Sequence, residues 1–430
     1  MSRTWFLGSL ILFLLLAGLV ALRGTLVALA IPLLLYLLYG LWFGPNDVRL
    51  EVQRDLSAER VAPQTPVKVR VTITNRGDDL EELALEDVID PVLTVQDGSN
   101  HHLISLSKNK GFVFEYTMSG PRGGFPLETV HVEAGDHLGV LRTIQDVRTF
   151  GQLFVFPTVA RLKQVPIRPR RTRVYAGTIP ARVGGTGIEF FGVREYQDGD
   201  SPRHINWRVS ARSAENLYAN EFQQERVADV GIVLDGRERS NLFIGRHSLF
   251  EHSVLAAASL ADTFLARGDR VGLLVYSRYL QWTWPGYGKL QRERILHALS
   301  RAMPGVSQIF DGLQYLPTRM FPPESQIVLV SPLVEDDYST LIQLRARGYQ
   351  VLVVSPDPVT FEEDHLPRRT AEYSNSEIRL AARVIRMERS LMLKRIQRAG
   401  IQVMDWNVAQ PFDQAARRAF ARQIQAGSRL

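Results

Sequence analysis

Hydrophobic and polar positions change their rhythm along this chain, and each rhythm predicts a different architecture. Residues 6–22 and 25–43 are apolar and free of charge, interrupted only by Arg23 and Gly24. From 48 to 157 the period is two: Val67, Val69, Val71 and Ile73 alternate with Lys68, Arg70, Thr72 and Thr74, the pattern of strands with one buried and one wet face. Asn75-Arg76-Gly77 and Gly123-Gly124 supply turns, and no helical stretch intervenes, so residues 46–157 are predicted to form an all-β immunoglobulin-like sandwich. Beyond 226 continuous Val/Ile/Leu runs (227–234, 270–276, 326–330, 350–354, 401–404) alternate with helical segments (246–267, 290–303, 338–347, 377–399, 412–425), with a turn-rich hairpin at 282–287. Such runs predict a doubly wound α/β domain over 226–430, its parallel sheet covered on both faces and its ligand edge at the strands' C-terminal ends.

At 1.5 Å per residue the two apolar runs reach roughly 25 to 29 Å, near the hydrocarbon thickness of a bilayer. The prediction for 1–45 is a transmembrane hairpin with Arg23 at its tip, Pro32 inside the second helix and Gly44-Pro45-Asn46 ending it. Arg3, Arg49, Arg54 and Arg60 flank the spans against Arg23 alone in the loop, which puts the remaining domains on the cytoplasmic side of a multi-pass cell-membrane protein. The competing reading, a secretory signal ending near Ala28 or Ala30, fits less well because the apolar sequence continues past those alanines.

The chain has 430 residues, of which 22% are charged, and no cysteine, which excludes disulfides, thiolate catalysis and cysteine-ligated metal centres. Its net charge of +6 is moderate, but basicity is concentrated in a linker, where Arg161, Lys163, Arg168, Arg170, Arg171, Arg173 and Arg182 stand without an acid among them. Such a run is either a solvated linker or a patch for an acidic partner, an anionic lipid surface or nucleic acid. Tyr175 is the lone aromatic within it, so lipid or interdomain contact ranks above nucleic acid.

The densest chemistry lies at 187–212, GIEFFGVREYQDGDSPRHINWRVSAR. Asp198-Gly199-Asp200-Ser201-Pro202 is a turn, and a short helix is predicted after it, with Ile205 and Val209 on one face, Arg208 and Arg212 as a basic edge, and Trp207. Gly187, Glu189, Phe190, Arg194, Glu195, Tyr196, Gly199, Asp200, Arg203, Ile205, Trp207, Ser210, Ala211 and Arg212 together resemble the core signature of the family called domain of unknown function fifty-eight. The segment at 116–126 and Asp136-His137-Leu138-Gly139 resemble elements that precede it in the same family. One reading makes the whole set structural, with Asp200 held by Arg203 or Arg208 and Trp207 buried. Another makes it an interface. A third is a hydrolase-like enzyme with Asp198, Asp200, His204 and Arg203 as acid, base and anion clamp.

No phosphate-binding loop is present: Gly184-Gly185-Thr186-Gly187 precedes the strands and lacks a lysine. His101, His102, His131, Glu133, Asp136 and His137 invite a metal, but their spacing matches no known site. The first strand of the α/β domain ends in Asp235, placed as in von Willebrand factor A-like domains, which this part of the family resembles. Those domains often hold a divalent cation through D-x-S-x-S and an Asp after a middle strand. Here Arg237 and Arg239 replace the serines and the middle strand ends Ser331-Pro332-Leu333, so the expectation is a degenerate, metal-free site without cofactor. Asp235, Arg237 and Arg239 are then candidates for binding an acidic partner. The resemblance further implies a MoxR-type AAA+ ATPase as partner, and a membrane-anchored, non-enzymatic adaptor acting in assembly or maturation of a complex.

Overall fold

The computed structural model describes residues 3–43, 47–135, 142–163, 165–167, 172–213, 216–245, 247–306, 321–322, 324–365 and 375–427. The chain divides into two compact units, Met1–Phe156 and Pro157–Leu430.

The first unit begins with α1 (Arg3–Val20) and α2 (Gly24–Phe43). They form a hairpin in which Ile11 and Ala30 are buried, while outward side chains such as Phe6 and Leu19 are exposed. A side chain at Gly18 would collide with Val27, so the glycine permits the close approach. Among the described residues no helix is long and apolar enough to cross a membrane. This corrects the predicted transmembrane hairpin and, with it, the two-span, multi-pass placement in the cell membrane.

The strands that follow are β1 (Leu50–Leu56), β2 (Arg60–Val61), β3 (Val67–Asn75), β4 (Leu80–Asp87), β5 (Thr94–Gly98), β6 (His101–Leu106), β7 (Gly111–Ser119), β8 (Gly123–Pro126), β9 (Thr129–Gly135), β10 (Arg142–Arg148) and β11 (Gln152–Val155). Two antiparallel sheets, ordered β1-β3-β7-β5 and β10-β9-β4-β6, share one core, and β2-β11-β8 forms a small third sheet. Val67, Val69, Val71 and Ile73 of β3 meet Leu83, Leu85, Val130 and Val132 from the other sheet. Among the described residues an ionic pair lies inside: Arg54 pairs with Asp87, both side chains fully buried, and Tyr116 donates to Asp87 at 2.6 Å. Burial, and then the Asp87 charge, push the Tyr116 phenol well above its ordinary pKa.

The second unit contains β12 (Thr172–Glu195), α3 (Trp207–Ser210), β13 (Tyr218–Asp235), the short pair β14 (Phe243–Ile244) and β15 (His247–Ser248), α4 (Leu249–Ala266), β16 (Arg270–Tyr276), β17 (Leu280–Gly286), α5 (Gly288–Arg301), β18 (Gln326–Val330), α6 (Asp337–Ala346), β19 (Gln350–Pro356), α7 (Pro358–His365), α8 (Asn375–Arg398), β20 (Gln402–Trp406) and α9 (Phe412–Gly427). The sheet runs β17-β16-β13-β18-β19-β20, parallel except for the antiparallel edge strand β17. Val233, Leu329, Val351 and Val353 face Leu341 and Leu344 of α6 and Leu393 and Ile396 of α8. Ile232, Leu234, Val328 and Val330 alternate with them and are also fully buried, and α4 lies against β13, β16, β18 and β19. Both faces are therefore covered. Within 158–225, predicted as a basic linker and the core stretch, β12 pairs antiparallel with the first half of β13, with bulges between Val174 and Gly192, so one long strand joins the core stretch to the sheet.

Candidate functional site

The connections from β13 lead to β16 on one side and those from β18 to β19 on the other, which opens the sheet's crevice between the C-terminal ends of β13 and β18. The register Leu234↔Val330 brings Asp235 and Ser331 side by side at that crevice. Ser331 Oγ donates to Asp235 Oδ2 at 2.6 Å and Ser240 Oγ donates to the same oxygen at 2.9 Å. Arg237 is 2% exposed. It donates from Nε and Nη2 to Asp235 at 2.9 and 2.8 Å, and from Nη1 and Nη2 to Asp337 at 3.0 and 2.8 Å. Burial alone would lower the guanidinium's pKa, but the hydrogen bonds and charges of Asp235 and Asp337 outweigh it and hold it above its ordinary value.

Two carboxylates and two serine hydroxyls thus converge on one point, and a guanidinium fills it. Oxygen donors of this kind suit a hard divalent cation, yet the space between the carboxylates is taken by a positive charge that belongs to the chain. The residues do not fit a metal ion. Arg237, offered from the sequence as a contact for an acidic partner, is instead neutralised internally by Asp235 and Asp337. Arg239 is half-exposed beside Asp336 at 3.6 Å, a surface pair of little energetic weight. Ser331 was placed at the end of the middle strand but given no role; Asp337 escaped the sequence reading because it follows β18 only at the start of α6, seven residues beyond the strand, past a Pro-Leu turn.

A second buried arginine ties the same edge together. Arg389 of α8 donates to Pro332 O at 2.8 Å, to Ser355 Oγ at 2.9 Å and to Asp405 at 2.8 Å, bridging the ends of β18, β19 and β20. A cavity of about 510 Å³ opens beside it, lined among others by Leu333, Tyr338, Ile385, Leu391, Met392 and Arg395.

The core stretch lies at the other end of β13. Arg194 grips Asp200 with both Nη atoms, at 2.8 and 2.7 Å, Gln197 N donates to Asp200 Oδ2 at 2.9 Å, and Tyr196 Oη donates to Asp200 O at 2.8 Å. Hydrogen bonding from Arg194, then from the Gln197 amide, holds the Asp200 carboxyl below its usual range. Gly199 has φ +105°, which a side chain at that position would strain. A 3₁₀ turn at Pro202–His204 and α3 follow, where Asn206 caps Val209 N at 3.1 Å. Ser210 Oγ accepts from Tyr218 N at 2.9 Å, Asn216 donates to Glu195, and Ile205 bridges to Ala219. The partner of Asp200 is Arg194, not Arg203 or Arg208. Trp207 is not buried; it is 67% exposed, with Arg203, Arg208 and Arg212 exposed nearby in sequence, and Phe190 is 61% exposed. The predicted helix shrinks to one turn because Pro202 and the Asn206 cap fix its start and Tyr218 claims Ser210.

Gly187 and Glu189, like Arg173 and Arg182 of the basic run, lie outside the residues whose side chains are described, and Arg168, Arg170 and Arg171 lie outside the described residues altogether; Arg161 and Lys163 are exposed. Of the sequence's metal candidates, His131 pairs with Asp146 at 2.7 Å and Glu133 with Arg142, while His102 packs on Phe112 and Phe114. Asp136 and His137 lie outside the described residues. Among the described residues no group of three or more His, Asp or Glu is arranged to hold a metal.

Residues 192–373 match the family described as protein of unknown function DUF58. The DUF58 match takes in most of the core stretch, every strand of the β17-β16-β13-β18-β19-β20 sheet except β20, and the Asp235–Arg237–Asp337 cluster. A relative, the uncharacterized protein YeaD of Bacillus subtilis (strain 168), is 30% identical over 154 residues, which is 36% of this chain and 36% of that protein's own length. Among solved structures the chain is similar to the human complex of zinc 2-glycoprotein with prolactin inducible protein (12% identity, TM-score 0.20, 26% of this chain and 98% of that one). It is also similar to Escherichia coli alpha-2-macroglobulin from domain MG7 onward (12%, 0.23, 27% and 18%) and to the Bacillus subtilis sporulation control protein Spo0M (14%, 0.14, 25% and 49%). TM-scores this low carry no inference about this chain.

Proposed function

We propose that this chain is a non-enzymatic adaptor that binds other proteins. The observation that carries the reading is Trp207: a large aromatic, 67% exposed, displayed with Arg203 and Arg208 on a loop braced by the Arg194–Asp200 pair and the Asn206 cap. Exposed Trp and Arg on a preorganised loop are the residues that dominate protein interfaces. Against the enzymatic alternative stands the engagement of Asp200, both of whose oxygens are committed to Arg194 and one also to the Gln197 amide. The α/β unit is read as von Willebrand factor A-like, with Arg237 as a built-in cation that keeps the sheet edge closed. The family resemblance names the partner to try first, a MoxR-type AAA+ ATPase, and assembly or maturation of a complex as the activity.

The test uses the full chain and a purified MoxR-type ATPase from the same genome, with and without ATP and Mg²⁺, measured by biolayer interferometry. Trp207→Ala is expected to raise Kd at least about tenfold, in line with a hot-spot aromatic, at unchanged melting temperature. Equal binding by the native chain and Trp207→Ala would remove the loop from the interface, and no binding by the native chain in either nucleotide condition would remove the ATPase as partner.

A further inference from the structure

Helix α8 carries two apolar stripes on opposite sides. Ala382, Leu393 and Ile396 are buried on the body side, with Arg389 among them. At 3.6 residues per turn, Leu380, Val384, Met387 and Leu391 line the opposite side with the 4-3-4 spacing of a coiled-coil seam. They are 64%, 49%, 63% and 51% exposed. A helix needs one apolar stripe to pack on its own domain, and a second of this regularity wants a second helix. The stripe is about 16 Å long and runs into the cavity beside Arg389, since Leu391 belongs to both.

Its edges specify the chemistry of what lies on it. Arg383 and Lys394 stand along one edge, Arg395 along the other and Arg398 at its end, with Glu377 and Glu388 the carboxylates among them. Among the described residues none of Arg383, Lys394, Arg395 and Arg398 has an ion-pair partner, whereas Arg386, further round the helix, pairs with Glu363. A second copy of α8 would bring like charges together. We propose that the outer face of α8 docks an amphipathic helix of another protein whose apolar seam is flanked by Glu and Asp, one large apolar side chain entering the Leu391–Met392 cavity. This surface is on a different element from Trp207 and does not rest on the role given to that residue.

A fluorescently labelled three-heptad peptide with Leu at a and d and Glu at e and g is titrated with the full chain by anisotropy, beside the same peptide with Lys at e and g. The acidic peptide is expected to bind at least tenfold tighter than the basic one. Met387→Asp, at an exposed position and with the melting temperature checked, is expected to weaken it at least tenfold. Arg383→Glu with Lys394→Glu and Arg395→Glu is expected to reverse the preference. Equal affinity for the two peptides, no binding, or binding indifferent to Met387→Asp would overturn the proposal. So would concentration-dependent self-association in sedimentation that Met387→Asp abolishes, which would make the occupant a second copy. Loss of peptide binding with Trp207-dependent ATPase binding intact would sink this surface alone.

Discussion

Removing the Arg237 guanidinium should turn a closed ionic knot into an open site for a divalent cation. In Arg237→Ala, Asp235 and Asp337, whose side chains are 0% and 2% exposed, face each other without the charge that holds them together. Breaking a buried ion pair by deleting one partner costs about 3–5 kcal/mol, because the remaining charge stays desolvated. Four charge-assisted hydrogen bonds go with it, but they are part of the same figure and do not add to it. For a unit of this size each kcal/mol moves the melting temperature by roughly 2–4 °C, so the expected fall is about 6–20 °C in a calorimetric scan at pH 7.5. The cavity left behind holds two carboxylates and the hydroxyls of Ser240 and Ser331, an all-oxygen set that Mg²⁺ or Mn²⁺ completes with water. Millimolar Mg²⁺ should therefore restore part of the loss in Arg237→Ala, by about 1.4 kcal/mol at tenfold excess over its Kd, and leave the native chain unmoved. A native chain stabilised by Mg²⁺ as strongly as the variant, or a variant that melts with the native chain, would refute the assignment of Arg237 as the internal cation.

In the first unit, Asp87→Ala strands Arg54 and removes the acceptor of Tyr116 inside the sandwich, and a loss of about 3–5 kcal/mol in denaturant unfolding is expected. Replacing Arg54 and Asp87 together with apolar residues should cost much less, which a double-mutant cycle measures. Asp200 has a lowered pKa in the folded chain, so its pairing persists above the unfolded carboxyl value near 3.8 and is lost as pH falls through the folded one. Exchange protection of the Gln197 amide should survive at pH 4.5, fail at lower pH, and be absent at every pH in Asp200→Ala. Burial, then the charges of His365 and His247, lower the pKa of His252. The unfolded chain therefore binds more protons below about pH 6.5, and the melting temperature should fall as pH drops from 7.5 to 5.5, with a shallower slope in His252→Gln.

How legible this molecule was depends on the range of the interactions involved. The alternation through β3 is local and reads directly as one buried face, and the Val-rich β13, β16, β18 and β19 read as sheet interior because both their faces are covered. The Asp200 turn was visible from Asp-Gly-Asp-Ser-Pro, but its partner was not, since Arg194 reaches it from the end of a strand and nothing in spacing ranks it above Arg203. Likewise Asp235 was identifiable at a strand end, whereas Asp337 is brought to Arg237 only by the parallel pairing of β13 with β18, a contact across a hundred residues. The basic run from 161 read as a linker or a charged patch from its charges, yet its second half enters β12, which pairs with β13 across several bulges. The apolar start misled in another way: its composition predicted two membrane spans, whereas among the described residues no helix is long and apolar enough to cross a membrane.

The strand β13 is a shared rod. Its first residues carry the Trp207 loop through the Ile205–Ala219 bridge, and its last is Asp235, with a contour between Ala219 and Asp235 of about 50 Å at 3.3 Å per residue. On the two proposals made above, a partner at the Trp207 loop and a helix on the outer face of α8 would not compete for space, so a single copy could hold both. A ternary complex is then a matter of spacing along one strand, and inserting or deleting residue pairs in the β12–β13 arm would change the separation of the bound molecules while keeping each strand's inward and outward faces in phase.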